Sequence, residues 1–413
     1  MNVTVLYAII IGVLIFDFVL ERILDFINKR RLGMPLPTEL VGLYDEEKYK
    51  KQQSYELENH NFKLLTSTLS FIIIIGMIVF GGFNVVDVIV RGITSNAILQ
   101  ALLFFGILLF VSDIINTPFD IYDTFVIETK YGFNTTTVKT YILDKIKGWL
   151  LGGIFGGGIL ALIIWLISVF PNTFWIYAWL VVGFIAVFMA MFYSSLIVPL
   201  FNKQTPLEDG KLKSAITLFS EKVGFKLQNI FIIDGSKRTT KANAYFSGFG
   251  SKKRIVLFDT LVNEMSVNEI VAVLAHEIGH YKKKHVFMMI AFSLIQTGLM
   301  FFILGFFVNQ PELSLAMGAK LPSIHMSLIS FAILYTPFSF LFGILVNILS
   351  RKNEYQADTF AATEYDSESL QQALKKLSVK NLSNLTPHPL YVFFHYSHPT
   401  LLDRLRNLAL YKK

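Results

Sequence analysis

Cysteine is absent from the chain. That excludes disulfides, thiolate nucleophiles and cysteine-ligated metal centres. Charge is scarce as well: Asp, Glu, Lys and Arg make up 16% of the residues, where about a quarter is usual. Internal repeats and low-complexity linkers are also missing, so the parts outside the apolar runs should form one domain assembled from separated insertions. The N-terminal stretch lacks the basic n-region of a signal peptide and its apolar run is long, so it reads as a retained first span.

What the chain has in excess is apolar surface, with 53% hydrophobic residues. A soluble protein of that balance would expose more apolar area than water tolerates. A membrane span needs about 20 mostly apolar residues, because a helix rising about 1.5 Å per residue must cross about 30 Å of hydrocarbon. Seven stretches meet that length: 3–24, 64–83, 97–115, 149–169, 174–200, 286–308 and 324–349.

If these spans alternate in direction, the connections on one side hold 34 of the 37 Lys and Arg residues. The other side holds Arg91 and Lys320, and Arg22 lies inside the first span. So lopsided a split follows the positive-inside rule. It predicts a non-cytoplasmic N-terminus, with the long basic segments in the cytoplasm. The net charge of +7 therefore reads as topology and contact with anionic lipid, and requires no nucleic acid.

Four segments follow in order. Residues 1–200 carry five spans with amphipathic cytoplasmic loops, helical near 45–62. Residues 201–285 form a catalytic segment, residues 286–349 two further spans, and residues 350–413 cytoplasmic helices broken near Pro387 and Pro389. In the catalytic segment, residues 242–247 and 254–258 read as strands around the turn Gly248-Phe249-Gly250-Ser251. Ser266 and Glu269 then have the spacing of a capping box ahead of an apolar run, which predicts a helix starting near Val267.

That helix carries His276-Glu277-Ile278-Gly279-His280, the H-E-x-x-H pattern. Positions i and i+4 share a helix face, so both imidazoles can reach one metal ion. Zinc suits such ligands, and a catalytic zinc site takes three protein ligands with the fourth position open to water. Glu277 is placed to take a proton from that water. Glu354 and Asp358, spaced i and i+4 just past the seventh span, are candidates for the third ligand and for an acceptor that orients a ligand histidine. The remaining histidines, His60, His285, His325, His388 and His395, show no partner pattern.

Further motifs run through the chain: Pro118-Phe119-Asp120-x-Tyr122, Phe125-Val126-Ile127-Glu128, Tyr131-Gly132-Phe133-Asn134 and Pro199-Leu200-Phe201-Asn202-Lys203. Thr205-Pro206-Leu207, Asn243-Ala244-Tyr245-Phe246 and Ser397-His398-Pro399-Thr400 with Arg404 follow. With the metal helix and residues 354–358, the chain resembles the integral-membrane CAAX prenyl proteases of the zinc-dependent, gluzincin type. The resemblance covers nearly the whole length, with modest departures at Thr129 and Gln204.

The resemblance implies a mainly α polytopic fold. Seven helices would enclose a water-filled chamber, capped on the cytoplasmic side by a small α+β zinc metallopeptidase domain. It implies one zinc per chain, held by His276, His280 and Glu354, with Glu277 as the base. His398 would donate to the oxyanion, and Asp358 would sit behind the ligands. Arg404, Asn243, Ala244 and Tyr245 would bind substrate or its transition state, the strand holding it in extended form by edge pairing. The implied substrate is a protein or peptide, prenylated near its C-terminus, cut by a monomer in a bacterial plasma membrane or the endoplasmic reticulum membrane.

Three other readings share some of these features. A quality-control metalloprotease of the membrane has the same chemistry with unprenylated substrates. A transporter would use the intramembrane Asp17 and Asp113 but gives no reason for Glu277 and Glu354, and a metal-binding structural membrane protein gives no reason for Glu277 in a closed site. The last residues, Lys412 and Lys413, do not read as a retrieval signal.

Overall fold

The structure, a computed structural model, describes residues 2–225, 229–248 and 253–411. Among these, seven helices are long and apolar enough to cross a bilayer. They are Val3–Lys29, Glu46–Val79, Ala97–Glu128, Val138–Val169, Phe174–Phe201, His285–Phe307 and a seventh that opens at Ile324. The chain is a multi-pass membrane protein.

Several helices run past the apolar stretch that predicts them, because a helix continues until something breaks it. The expected cytoplasmic helix near 45–62 and the second span are one element. Asp45 caps its start by accepting from the Lys48 N–H. It stops at Val79, short of the expected 83, where Gly81 turns left-handed at φ 69 and a short amphipathic helix, Gly82–Ile93, begins. The seventh helix runs unbroken from Ile324 to Ala361, so the residues expected just past the span ride on the span helix itself.

The spans gather at the end remote from the catalytic segment. Leu6, Ile10, Ile78, Phe104 and Met326 form one buried cluster there, and Phe174, Phe301, Leu304 and Phe331 form another. Closer to the catalytic segment a further cluster, with Tyr44, Ile127, Tyr131, Phe133 and Leu405, ties the ends of the second and third span helices to the C-terminal helices. At most 17% of the most apolar stretch of any span is buried within the protein, so the spans pack loosely against one another between these clusters. That shape leaves room for a chamber between the helices.

Several charges inside this bundle are paired. Asp113 of the third span meets Lys145 of the fourth at 3.2 Å, which answers one of the two carboxylates a transporter would need. Arg91 on the sparsely charged side is bonded to buried Asp87 at 2.9 Å, and His325 bonds the same carboxylate at 2.6 Å.

Outside the bundle lies a four-stranded sheet. Its strands are β1 Gln204–Pro206, β2 Asn229–Ile233, β3 Ala244–Ser247 and β4 Arg254–Phe258, in the order β1-β2-β4-β3. β2 pairs parallel with β4, while β1 and β3 pair antiparallel with their neighbours. The expected hairpin is present as β3 and β4, with the first strand two residues shorter. Gly248 turns at φ 84, and the remaining turn residues Phe249, Gly250 and Ser251 lie outside the described residues, as do Lys412 and Lys413. The sheet, the helix Ser367–Lys380 and the C-terminal Leu408 enclose the apolar residues of the metal-motif helix in one core.

Candidate metal centre

The helix Val267–Lys282 positions the motif. Ser266 accepts from the Glu269 N–H while the Glu269 carboxylate accepts from the Ser266 N–H, so two otherwise orphaned donors are satisfied at its start. Every residue from Glu269 through His276 is buried, as are Ile278 and Gly279. The histidines therefore stand on a helix that the core holds on all sides, not on a mobile surface element.

Three donors converge. His276 Nε2 and His280 Nε2 are 3.1 Å apart. Glu354, from the seventh-span helix, approaches them at 3.4 Å through Oε2 and 3.2 Å through Oε1. All three ligand atoms lie within 4.8 Å of one another. Glu354 Oε2 is buried and has no hydrogen-bond partner, and an unsatisfied buried carboxylate oxygen is costly unless a cation meets it. Two imidazoles and a carboxylate with one vacant oxygen fit a divalent metal ion.

The close approach of the two helices depends on Gly279, which lies between the histidines. A Cβ there would stand 3.1 Å from Ala357 Cα and 3.2 Å from its carbonyl oxygen. Only glycine lets the backbones meet where Glu354 must reach across.

Behind His276 lies a charge pair. Its Nδ1–H donates to Asp358 at 2.9 Å, and Asp358 is fully buried. Arg404 clamps the same carboxylate with two bonds, 2.9 Å from Nε and 2.6 Å from Nη2. Its Nη1 stands 3.5 Å from Glu354 Oε2. Arg404 is thus largely buried beside the ligand carboxylates, while Asp403 is engaged in capping with Thr400. Burial alone would disfavour a charge on His276. The bond to Asp358 and the Glu354 carboxylate close by outweigh it and hold the metal-free imidazole up at about 9.

His398 comes from the turn after the helix Pro389–His395 and brings Nε2 to 3.4 Å from Glu354 Oε1, with its side chain 63% exposed. Ser397 Oγ steadies its Nδ1 at 3.0 Å. Arg351, one turn ahead of Glu354, donates to the carbonyls of Val392 and Tyr396 and so ties that turn to the ligand helix. Glu277, next to His276, is half-buried and faces the Arg404 charge.

Ala244 and Tyr245 lie on β3 and Asn243 immediately precedes it, alongside the motif helix and the fifth span. The exposed Asn243 side chain accepts from the Ala244 N–H at 2.8 Å, and the Tyr245 hydroxyl lies 3.3 Å from Ser194 Oγ. β3 is an edge strand. The Phe258 N–H donates to the Asn243 carbonyl, so by antiparallel alternation Ala244 and Phe246 turn their backbone groups to the free edge. A cavity of about 430 Å³ runs beside β3, lined by Met189, Ala190, Tyr193, Tyr245, Phe246 and Ser247.

The structure thus brings His276, Glu277, His280, Glu354, Asp358, His398 and Arg404 into one centre, with the β3 residues flanking it. No pattern in the sequence marks Arg351 or His285. The latter is buried, with Nδ1 3.0 Å from His280 Nδ1 and Nε2 2.9 Å from Gln356 Oε1. At five residues past His280 it falls off the shared face of the motif helix. It returns only because Lys284 adopts a left-handed turn at φ 59.

Two family models match the chain. Residues 27–203 match the CAAX prenyl protease N-terminal model, described by five membrane helices, and residues 206–411 match peptidase family M48. The chain is 36% identical to CAAX prenyl protease 1 of Saccharomyces cerevisiae, over 97% of this chain and 94% of that protein. It is 35% identical to the Arabidopsis thaliana homologue, over 96% of each, and 31% to the human one, over 92% and 89%. The crystal structure of S. mikatae Ste24p superposes with a TM-score of 0.92 at 35% identity, covering 98% of this chain and 99% of that one.

Proposed function

The chain belongs to peptidase family M48, and from that premise we propose that it is a zinc endopeptidase cutting CAAX-type proteins near a prenylated C-terminus. It is a metalloprotease embedded in the membrane. The observation that carries the reading is the triangle of His276, His280 and Glu354 at the junction of the metal-motif helix and the seventh span, with Glu277 beside it.

We assign His276, His280 and Glu354 as ligands of one zinc ion. Bound there, zinc supplies a Lewis acid that lowers the pKa of water towards about 7 and polarises the scissile carbonyl. Glu277 takes the proton of the attacking water and passes it to the leaving amine. His398, exposed beside Glu354, donates to the developing oxyanion, a role in which one preorganised donor is worth about 3–4 kcal/mol. Asp358 keeps the proton of His276 on Nδ1 and leaves Nε2 free for the metal. Arg404 neutralises Asp358, and its Nη1 stands at the Glu354 carboxylate, on the side where charge develops. Asn243, Ala244 and Tyr245 hold the substrate along the free edge of β3.

The lysine and arginine asymmetry supports a non-cytoplasmic N-terminus and a cytoplasmic catalytic segment, in the endoplasmic reticulum or plasma membrane. Residues 1–200, 201–285, 286–349 and 350–413 act respectively as membrane chamber, catalytic segment, closing spans and donors of Glu354 and His398. All of these residues come from one chain, which supports action as a monomer.

The test is cleavage of a farnesylated C-terminal peptide beside its unprenylated twin by purified protein with assayed zinc content. Faster cleavage of the farnesylated peptide is expected. Equal cleavage of both would favour general membrane proteolysis, and full activity without zinc would overturn the metal assignment.

A further inference from the structure

We propose that His285 is a positioning residue for the ligand His280, serving as the hydrogen-bond acceptor that sets its tautomer, and that Gln356 sets the tautomer of His285 in turn. The inference rests on the zinc reading of the site.

A histidine that binds a metal through one ring nitrogen needs a lone pair there. It gives the proton on the other nitrogen to an acceptor, most often a carboxylate, a carbonyl or water. His276 follows this rule with Asp358. Among the described residues no carboxylate bonds His280 Nδ1. Its neighbour is another imidazole nitrogen, Nδ1 of His285, at 3.0 Å.

Only one proton fits between two nitrogens at that distance. If His280 holds it, the His280 Nε2 lone pair points at Glu354 and His276, where the metal is held. If His285 holds it, neutral His280 carries its proton on Nε2 and cannot ligate. Two neighbouring rings therefore have two settings, and one of them disables the site.

Gln356 selects between them. Its Oε1 lies 2.9 Å from His285 Nε2, and a carbonyl oxygen only accepts. His285 must then carry its proton on Nε2, which leaves Nδ1 as an acceptor and forces the proton of the shared contact onto His280. His285 is 4% exposed, so bulk water does not compete for that contact. The left-handed Lys284, a conformation that disfavours side chains with a Cβ, is what folds His285 back onto the motif helix.

The arrangement gives the seventh-span helix a wider role. It supplies the third ligand, Glu354, and sets both histidine tautomers, directly through Asp358 and by relay through Gln356 and His285. One outer partner is charged and the other is neutral. The relay therefore orients His280 without adding negative charge around the metal.

The test uses purified full-length protein and measures zinc affinity by competition with a chelating indicator. Wild type, His285→Leu, His285→Gln and Gln356→Leu are compared, with apo-protein melting temperatures recorded. Loss of an outer-shell partner typically weakens metal binding about 10–100-fold, and that loss is expected for His285→Leu. His285→Gln, which restores a carbonyl acceptor, should recover most of it; a packing role alone would not distinguish the two. Gln356→Leu should also weaken binding, and it keeps the test alive if His285→Leu fails to fold. Wild-type affinity in His285→Leu or Gln356→Leu, or equal loss in the Leu and Gln variants at position 285, would overturn the inference. A wild type that binds no zinc would instead overturn the reading beneath it.

Discussion

Gly279 stands between His276 and His280, the proposed ligands, and against the backbone of Ala357, three residues beyond Glu354 on the seventh-span helix. In Gly279→Ala the new Cβ would meet Ala357 Cα at 3.1 Å, its carbonyl oxygen at 3.2 Å and Phe360 Cβ at 3.2 Å. Ordinary contact begins at 3.4 Å, so the two helices must part by about 0.2–0.3 Å. Two of the three atoms are backbone, and no rotamer change relieves them. Alanine gains about 0.8–1.0 kcal/mol over glycine in helix propensity, while overpacking costs about 1–3 kcal/mol. The net loss of stability should fall between zero and about 2 kcal/mol. The metal is the more sensitive reporter. Ligand distances tolerate about ±0.2 Å, and the shift opens the interface that Glu354 reaches across. Zinc affinity, measured by chelator competition on detergent-solubilised protein, should fall at least about tenfold, equivalent to 1.4 kcal/mol. The melting temperature should move little. A variant with wild-type zinc affinity would refute the argument that Gly279 sets the reach of Glu354.

Three further outcomes are expected. Glu277→Gln should keep its zinc and lower kcat by about 10²–10⁴-fold, the usual worth of a positioned base; undiminished turnover at full zinc occupancy would remove Glu277 from the chemistry. Arg404→Leu strands the buried Asp358 carboxylate and should destabilise the protein by about 3–5 kcal/mol, as removal of one partner of a buried pair does. Denaturant unfolding reads that loss, adding Asp358→Asn should recover part of it, and unchanged stability would count against the pairing. The third concerns pH. The metal-free His276 has its folded pKa raised to about 9 from 6.5. Its contribution to the metal-free fold is complete below about pH 6.5 and fades as pH rises through 9. Because the ligand must be neutral, zinc binding expels a proton in that window, and affinity should climb with pH until about 9. Chelator competition at three pH values checks this, and a flat profile would contradict it.

The membrane architecture was legible because it depends on run length and charge count, both one-dimensional quantities. Helix ends were less so. Apolar composition marks the slab a helix crosses, but Glu46–Val79 and Ile324–Ala361 continue through polar sequence that contains no breaker. Half of the sheet was missed for a related reason. β1 is three residues long and ends in proline, and β2 pairs in parallel with β4 across an intervening hairpin strand. A two-residue period carries no information about such pairing.

The sequence by itself determined the chemistry of this protein. Two histidines at i and i+4 with a glutamate beside the first point to a metal hydrolase once a third ligand is found, and seven apolar runs put that helix at a membrane. What only the tertiary structure decided is which distant residues complete the centre. Glu354 reaches the histidines because Gly279 lets two helices 78 residues apart in sequence touch backbones. Arg404 turns from a basic residue in the last helix into the buried counter-ion of Asp358. His285, patternless in one dimension, meets His280 because Lys284 turns left-handed. Periodicity fixes neighbours within an element, whereas contacts between elements depend on backbone approach and turn geometry. In this chain both rest on single residues, one glycine and one lysine.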